Sequence, residues 1–355
     1  MDISIIGANG STGKHMANRI LLERILLPTD RLQLVGRNKG PSAQALYGFR
    51  QDLKDAFAEH CPIIDIALHP EEVVADMIIM TAGSTIQAHN DPDSPPPSRD
   101  ELALYNQQIA IPYADALAQY GHGHEVVIVV TNPVELIVEI FSQRYDRHRV
   151  VGMGAYQDSL RFRREVARSI NVSREAVHAM VLGEHGDGIV PLWSSVTIQG
   201  FSDNETQRAI RTVRSSTSSR DFPETLIRMR NDLIRIAQGG DLEKAFHLFD
   251  ALPPDVRIMV GPYLTLFSGS KTDIATANAT VDLIKSMLSG KDTVIAAQVS
   301  LQNEFLGVKG PIGAPVIISP KGWDAVYPVS LSEGEQYLFL ETARSIQEKM
   351  QAWKI

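Results

Sequence analysis

The residues best suited to chemistry are a histidine among acids, Gly183-Glu184-His185-Gly186-Asp187, and an aspartate and arginine three apart, Asp158 and Arg161. An i, i+3 spacing puts Asp158 and Arg161 on one face of a helix. A histidine hydrogen-bonded to a carboxylate is a good proton shuttle, because the carboxylate orients the ring and stabilises its charged form. An arginine can hold a ligand's carboxylate through two parallel hydrogen bonds. Each residue alone also has a plainer reading: a surface arginine, a capping aspartate, a satisfied loop histidine. A further group lies at the N-terminus, where Gly7-x-x-Gly10-x-x-Gly13 follows an apolar run and opens a helical pattern. Glycines there permit a tight turn and let the backbone approach a pyrophosphate, which the free N–H groups of the helix start attract. The alternative is a tight turn with no ligand.

The run after the second strand candidate reads Gly36-Arg37-Asn38-Lys39. Dinucleotide-binding folds usually place an acid there, on the ribose hydroxyls. Its absence, with Arg37 and Lys39 in its place, favours a 2′-phosphate and hence NADP over NAD. A basic surface loop is the alternative. Two clusters carry metal-ligand residue types, His122-Gly123-His124-Glu125 and His89-Asn90-Asp91-Pro92-Asp93. Neither has a familiar metal spacing, so no metal is expected. No G-x-S-x-G pattern marks a serine hydrolase, and Cys61 has no distinguishing context.

These residues need elements to position them. Ile3–Ile6, Leu32–Val35, Ala75–Met80 and Glu125–Val130 read as strands alternating with helical stretches, the signature of βαβ units and a parallel sheet. Each ends in small, polar or glycine residues, and ligands sit at the carboxyl ends of strands in such sheets. The segment Ser84–Ser98 holds four prolines and reads as a lid or a disordered loop. After Val150 the pattern changes: a helix over Asp158–Ile170, a strand over Val177–Leu182, then polar helical segments. Arginines 208, 211, 214, 220, 228, 230 and 235 fall on helices, as a solvated face or a patch for an anionic partner. Ser332 and Glu335 form a capping box that starts a C-terminal helix running to Trp353. The expected fold is α/β: a Rossmann-type doubly wound parallel sheet over residues 1–150, followed by an α+β catalytic domain over 151–355.

Composition narrows the function classes. The 355 residues carry 34 Lys and Arg against 42 Asp and Glu, a net charge of −8, which excludes a generally basic nucleic-acid binder. With 44% apolar and 21% charged residues, disorder over most of the length is excluded. No stretch reaches the length of a membrane span, and no signal peptide is read at the start. A single cysteine favours a reducing compartment, so the expectation is a cytoplasmic protein with no nucleic-acid or membrane partner.

Taken in order, the motifs resemble the lactate/malate dehydrogenase family. The likeness rests on Gly7-Ala8-Asn9-Gly10-Ser11-Thr12-Gly13, Thr81-Ala82-Gly83, Arg99 seven residues before Asn106, and Thr131-Asn132-Pro133-Val134. It continues in Asp158-Ser159-Leu160-Arg161-Phe162-Arg163 and Val181 to Asp187, and resumes more weakly at Gly269-Ser270-Lys271-Thr272 and Gly310 to Val316. The resemblance implies that His185 is the catalytic acid/base and Asp158 its partner. Arg161 would bind the substrate carboxylate, and Arg99 would polarise the reacting oxygen. Asn132 would touch both substrate and nicotinamide, with a cis bond to Pro133. The cofactor would lie on Gly7, Asn9, Gly10, Ser11, Thr12, Gly13, Gly36, Arg37, Thr81, Ala82, Gly83, Asn106, Thr131 and Asn132. The implied activity is hydride transfer between a small 2-hydroxy acid and NAD(P), in a homodimer or homotetramer.

The sequence departs from the family where the substrate side chain is read. Malate enzymes of this family carry an arginine three residues after the Ala-Gly pair; counting from Gly83, that position is Ile86, and no Arg or Lys occurs between Gly83 and Arg99. Lys271 lies in the stretch whose family counterpart lines the substrate site, as a cation for the opposite wall or as a surface turn residue. Tyr156-Gln157 replaces the apolar residue usual before the aspartate. Together these point to a non-standard 2-hydroxy acid, acids bulkier than lactate included. The competing reading is a catalytically inactive NAD(P)-binding sensor or interaction protein.

Overall fold

The computed structural model describes residues 1–84 and 99–354, the side chains of residues 99 and 100 excepted. Five segments of the first half build the outer part of a parallel sheet: β1 (Asp2–Ile6), β2 (Arg31–Val35), β3 (Ile63–Ala67), β4 (Met77–Met80) and β5 (Val126–Val129). Helices α1 (Ser11–Leu22), α2 (Pro41–Ala56), α3 (Arg99–Tyr120) and α4 (Val134–Ser142) connect them or follow them. The next strand, β6 (Val150–Gly152), adds to β5, and the order is β3-β2-β1-β4-β5-β6, all parallel. This is the doubly wound arrangement, whose order reverses between β1 and β4 and opens a ligand crevice at their carboxyl ends.

The second half begins with α5 (Gly154–Ile170), then the short strands β7 (Val177–His178), β8 (Val181–Gly183), β9 (Ile189–Pro191) and β10 (Thr197–Ile198). Five helices follow: α6 (Asp203–Val213), α7 (Phe222–Gln238), α8 (Leu242–Asp250), α9 (Pro254–Phe267) and α10 (Asp273–Leu288). The chain closes with β11 (Thr293–Gln302), β12 (Lys309–Ser319), β13 (Gly322–Val326) and α11 (Glu333–Ala352). The long β11–β12 pair is antiparallel and joins β6 to β8 and β9, so one mixed sheet runs through both halves. The core sits on that sheet, with Ile3, Ile5, Leu32, Leu34, Ile79, Val127 and Val129 fully buried between covering helices.

Several local expectations are met. All four proposed strands of the first half are present, and Ser332 caps α11 while the Glu335 carboxylate accepts the Ser332 N–H at 2.8 Å. Two differ. The run from Val177 to Leu182 is two strands, because β7 pairs with β10 whereas β8 pairs with β12 and β9. Helix α5 starts at Gly154, four residues ahead of Asp158. Among the described residues, no helix is long and apolar enough to cross a membrane, and no group of three or more His, Cys, Asp and Glu residues could hold a metal. Arg208, Arg211, Arg214, Arg220, Arg228 and Arg235 are exposed, whereas Arg230 is half-buried.

Candidate active site

At the end of β1 the chain turns through Gly7, whose φ of +91° suits glycine. A Cβ on Gly7 would stand 2.7 Å from the Ala82 nitrogen, and one on Gly13 would stand 2.4 Å from the Gly7 carbonyl. The turn therefore packs backbone against backbone. Gly10 is the N-cap of α1, and no side chain caps that helix. The first N–H groups of α1 are left to an external anion, at the crevice where the strand order reverses. A dinucleotide pyrophosphate fits this cradle. Thr12 Oγ1 donates to Asp273 Oδ1 at 2.8 Å, tying the turn to the start of α10.

The neighbouring strand ends are braced to one another. Thr81 Oγ1 donates to the Ile6 carbonyl, and Thr131 Oγ1 donates to the carbonyls of Met80 and Ala82. Asn106, fully buried on α3, donates to the carbonyls of Ser84 and Asn132 and accepts the Ser84 N–H at 2.7 Å. Its amide is thus committed to the loops it joins. The Asn132–Pro133 bond is cis. Gly36 follows β2, and Arg37 beyond it is exposed.

The catalytic candidates converge on a cavity of about 300 Å³ lined by Asn132, Asp158, Arg161, His185 and Lys271 among others. Phe162 and Val166 anchor α5 in the core, and Asp158, one turn before Phe162 on the same face, reaches the cavity together with Arg161. His185 sits in the hairpin turn between β8 and β9, closed by the Glu184 N–H donating to the Gly188 carbonyl at 3.0 Å. His185 Nδ1 lies 2.7 Å from Asp158 Oδ2, and Arg161 Nη1 donates to Asp158 Oδ1 at 2.8 Å. With Nδ1 engaged, His185 keeps Nε2 for a ligand. Burial pushes the His185 imidazole down, but the Asp158 carboxylate more than offsets it, so the ring protonates above its ordinary value of 6.5. Burial likewise pushes the Asp158 carboxyl up, and the charges and hydrogen bonds of His185 and Arg161 bring it below its ordinary value. Such an arrangement can move a proton at Nε2 beside a guanidinium able to hold an anion.

Two residues of this site are not evident from the motifs. Glu135 is buried on α4, and its Oε1 accepts the His185 N–H at 2.7 Å. Burial and the Glu184 carboxylate raise its pKa above the ordinary value of 4.5. The signal in the sequence is an acid interrupting the apolar run Val134 to Phe141. Gly154 is the other: a Cβ there would stand 2.5 Å from His185 Cγ, so the ring is seated against bare backbone. In the same region, Arg230 donates to Asp187 Oδ1 at 2.7 Å and lies over the Tyr263 ring. Ile86, the rest of the proline-rich segment over residues 85–98 and the Arg99 side chain lie outside the described residues; the backbone of Arg99 starts α3.

Comparison with known proteins agrees with this fold. A family profile described as the lactate/malate dehydrogenase NAD binding domain matches residues 1–152, and that of the alpha/beta C-terminal domain matches residues 157–219. An L-2-hydroxycarboxylate dehydrogenase (NAD(P)(+)) of Methanocaldococcus jannaschii is 26% identical, over 98% of this chain and 97% of the relative. A malate dehydrogenase of Sorangium cellulosum is 30% identical, over 77% of this chain and 73% of its own length. Among solved structures, Cryptosporidium parvum malate dehydrogenase superimposes with a TM-score of 0.74 at 24% identity, covering 99% of this chain and 98% of that one.

Proposed function

The chain belongs to the lactate/malate dehydrogenase family, and on that premise we propose that it interconverts a small 2-hydroxy acid and its 2-oxo acid with a nicotinamide cofactor. The observation that carries this reading is the His185–Asp158–Arg161 constellation on one cavity. When bound, the nicotinamide supplies the two-electron acceptor or donor; the chain's residues do the rest. Neutral His185 accepts the hydroxyl proton at Nε2, and Asp158 stabilises the imidazolium that results. In the reverse direction the imidazolium returns that proton to the carbonyl oxygen. Arg161 holds the substrate carboxylate, and Asn132 orients the reacting group from the end of β5. Arg99 enters from the sequence pattern alone, as the cation that polarises the reacting oxygen.

Residues 1–150 form the cofactor-binding domain in this reading and residues 151–355 the catalytic domain, which the change of family profile between residues 152 and 157 supports. The cofactor residues are those of the Gly7–Gly13 turn, Gly36 and Arg37, and the strand ends at Thr81, Ala82, Gly83, Thr131 and Asn132, with Asn106 holding the last two loops in register. The exposed Arg37, with no acid at the end of β2, favours NADP over NAD. A homodimer or homotetramer in the cytoplasm completes the proposal. A panel of 2-hydroxy acids assayed with NADP and NAD in parallel tests it. Turnover of at least one acid is expected; tight dinucleotide binding without turnover of any would favour the inactive sensor.

A further inference from the structure

Among the described residues, four acids and three Lys or Arg side chains line the cavity, and these four acids are all engaged. Asp158 pairs with His185 and Arg161, Glu184 pairs with Lys349, and Glu135 accepts the His185 N–H. Asp273, the acid nearest to Lys271 in sequence, accepts the Thr12 hydroxyl. Of the cations, Arg161 and Lys349 are paired through these contacts, whereas Lys271 has no ion-pair partner among the described residues. It lies between α9 and α10, with Ser270 and Thr272 beside it on the lining. On α5, next to Asp158, Gln157 is buried and donates to Thr276 of α10 at 3.1 Å, so polar groups continue that wall.

A ligand with one carboxylate is served by Arg161. A second carboxylate taken into the cavity would need its own cation, because an uncompensated buried charge is costly. The sequence between Gly83 and Arg99 holds no Arg or Lys to provide one. We propose that Lys271 is a specificity-determining residue: it receives a second anionic group, a carboxylate on the side chain of the 2-hydroxy acid, from the α9–α10 turn. The substrate then spans the cavity with its first carboxylate on Arg161 and its side-chain carboxylate on the Lys271 ammonium. This inference rests on the dehydrogenase reading and gives it a substrate class.

The test is steady-state reduction of oxaloacetate, 2-oxoglutarate and pyruvate by the wild type, Lys271→Met and Lys271→Arg. The readout is the ratio of kcat/KM for each dianionic acid to that for pyruvate, which cancels any general loss of active protein. Removing a charge-assisted contact is expected to lower that ratio about 10- to 100-fold in Lys271→Met, with most of it restored in Lys271→Arg. A wild type that favours pyruvate, or a ratio that Lys271→Met leaves unchanged, would overturn the assignment while leaving the dehydrogenase reading intact. Reduction of none of the three acids, nor of a wider panel of 2-oxo acids, by a wild type that binds dinucleotide would remove both.

Discussion

His185 Nδ1 and Asp158 Oδ2 are 2.7 Å apart, although 27 residues separate them in the chain. The contact exists because α5 and the β8–β9 hairpin pack together: Ser159 Oγ on α5 accepts the Val181 N–H at 2.9 Å, at the first residue of β8. Asp158 also takes the Arg161 guanidinium, so one buried carboxylate orients both the His185 ring and the Arg161 side chain. Its two oxygens are divided between them, and the loss of Asp158 would disturb both at once.

His185→Asn removes the proposed proton carrier and keeps a polar side chain that can still hydrogen-bond Asp158. Turnover is expected to fall by about 10²- to 10⁴-fold, with dinucleotide affinity within a few-fold of the wild type. Steady-state kinetics and a cofactor titration on the same preparation check this. Near-normal turnover would remove His185 from its assigned role.

The pH dependence follows from the direction of the His185 shift. Oxidation of the hydroxy acid needs the neutral imidazole, so its rate should rise with pH through an inflection above 6.5, the ordinary histidine value. Reduction of the oxo acid needs the imidazolium, so its rate should fall across the same range. Asp158→Asn removes the charge that raises the pKa, leaving burial to lower it, and the inflection should move to lower pH. An inflection that stays in place would show that Asp158 does not tune the ring.

Stability should show the same pair with the sign of each group. The stabilisation from protonated His185 is complete below 6.5 and is lost as pH rises through its raised folded value. That from ionised Asp158 is present above 3.8 and is lost as pH falls through its lowered folded value. Urea unfolding midpoints measured against pH for wild type and His185→Asn should differ most on the acidic side of the histidine inflection. A constant difference at all pH values would contradict the linkage.

Gly154→Ala puts a Cβ where His185 Cγ would be 2.5 Å away, so the ring must move. A displacement approaching 1 Å can cost on the order of 10²-fold in rate. The loss should appear in kcat, with dinucleotide affinity little changed, because Gly154 lies on α5 and the cofactor cradle lies on α1. An unaffected kcat would mean that the ring tolerates the shift.

Much of this was legible in the sequence, for reasons that also mark its limits. Strands β1, β2, β4 and β5 are short apolar runs ended by small residues, and the pattern exposed them. The edge strand β3 escaped, because Ile63 is exposed and Asp65 interrupts its apolar run. Asp158 and Arg161 could be paired by helical spacing, but the approach of His185 depends on the β8–β9 hairpin packing against α5, which local sequence does not encode. Gly154 carries no motif signal, yet it opens α5 and leaves room for the histidine. Glu135 was visible only as an interruption in an apolar run, and its contact with the His185 backbone is set by the fold.

Cofactor choice can be tested at one exposed residue. Arg37→Asp removes a cation and adds an acid immediately after β2, where it would repel a 2′-phosphate. The kcat/KM ratio of NADP to NAD is expected to fall by about tenfold or more, the scale of one lost charge-assisted contact. A ratio unaffected by the change would place the adenosine ribose away from Arg37.

The most direct test follows a deuterium label placed on the hydroxyl-bearing carbon of whichever 2-hydroxy acid the wild type turns over, with NADP or NAD as acceptor. The label should appear on the reduced nicotinamide in stoichiometric amount and be lost with turnover in His185→Asn. Exchange of the label into water, or no reduced nicotinamide from any 2-hydroxy acid despite tight dinucleotide binding, would contradict hydride transfer at this site.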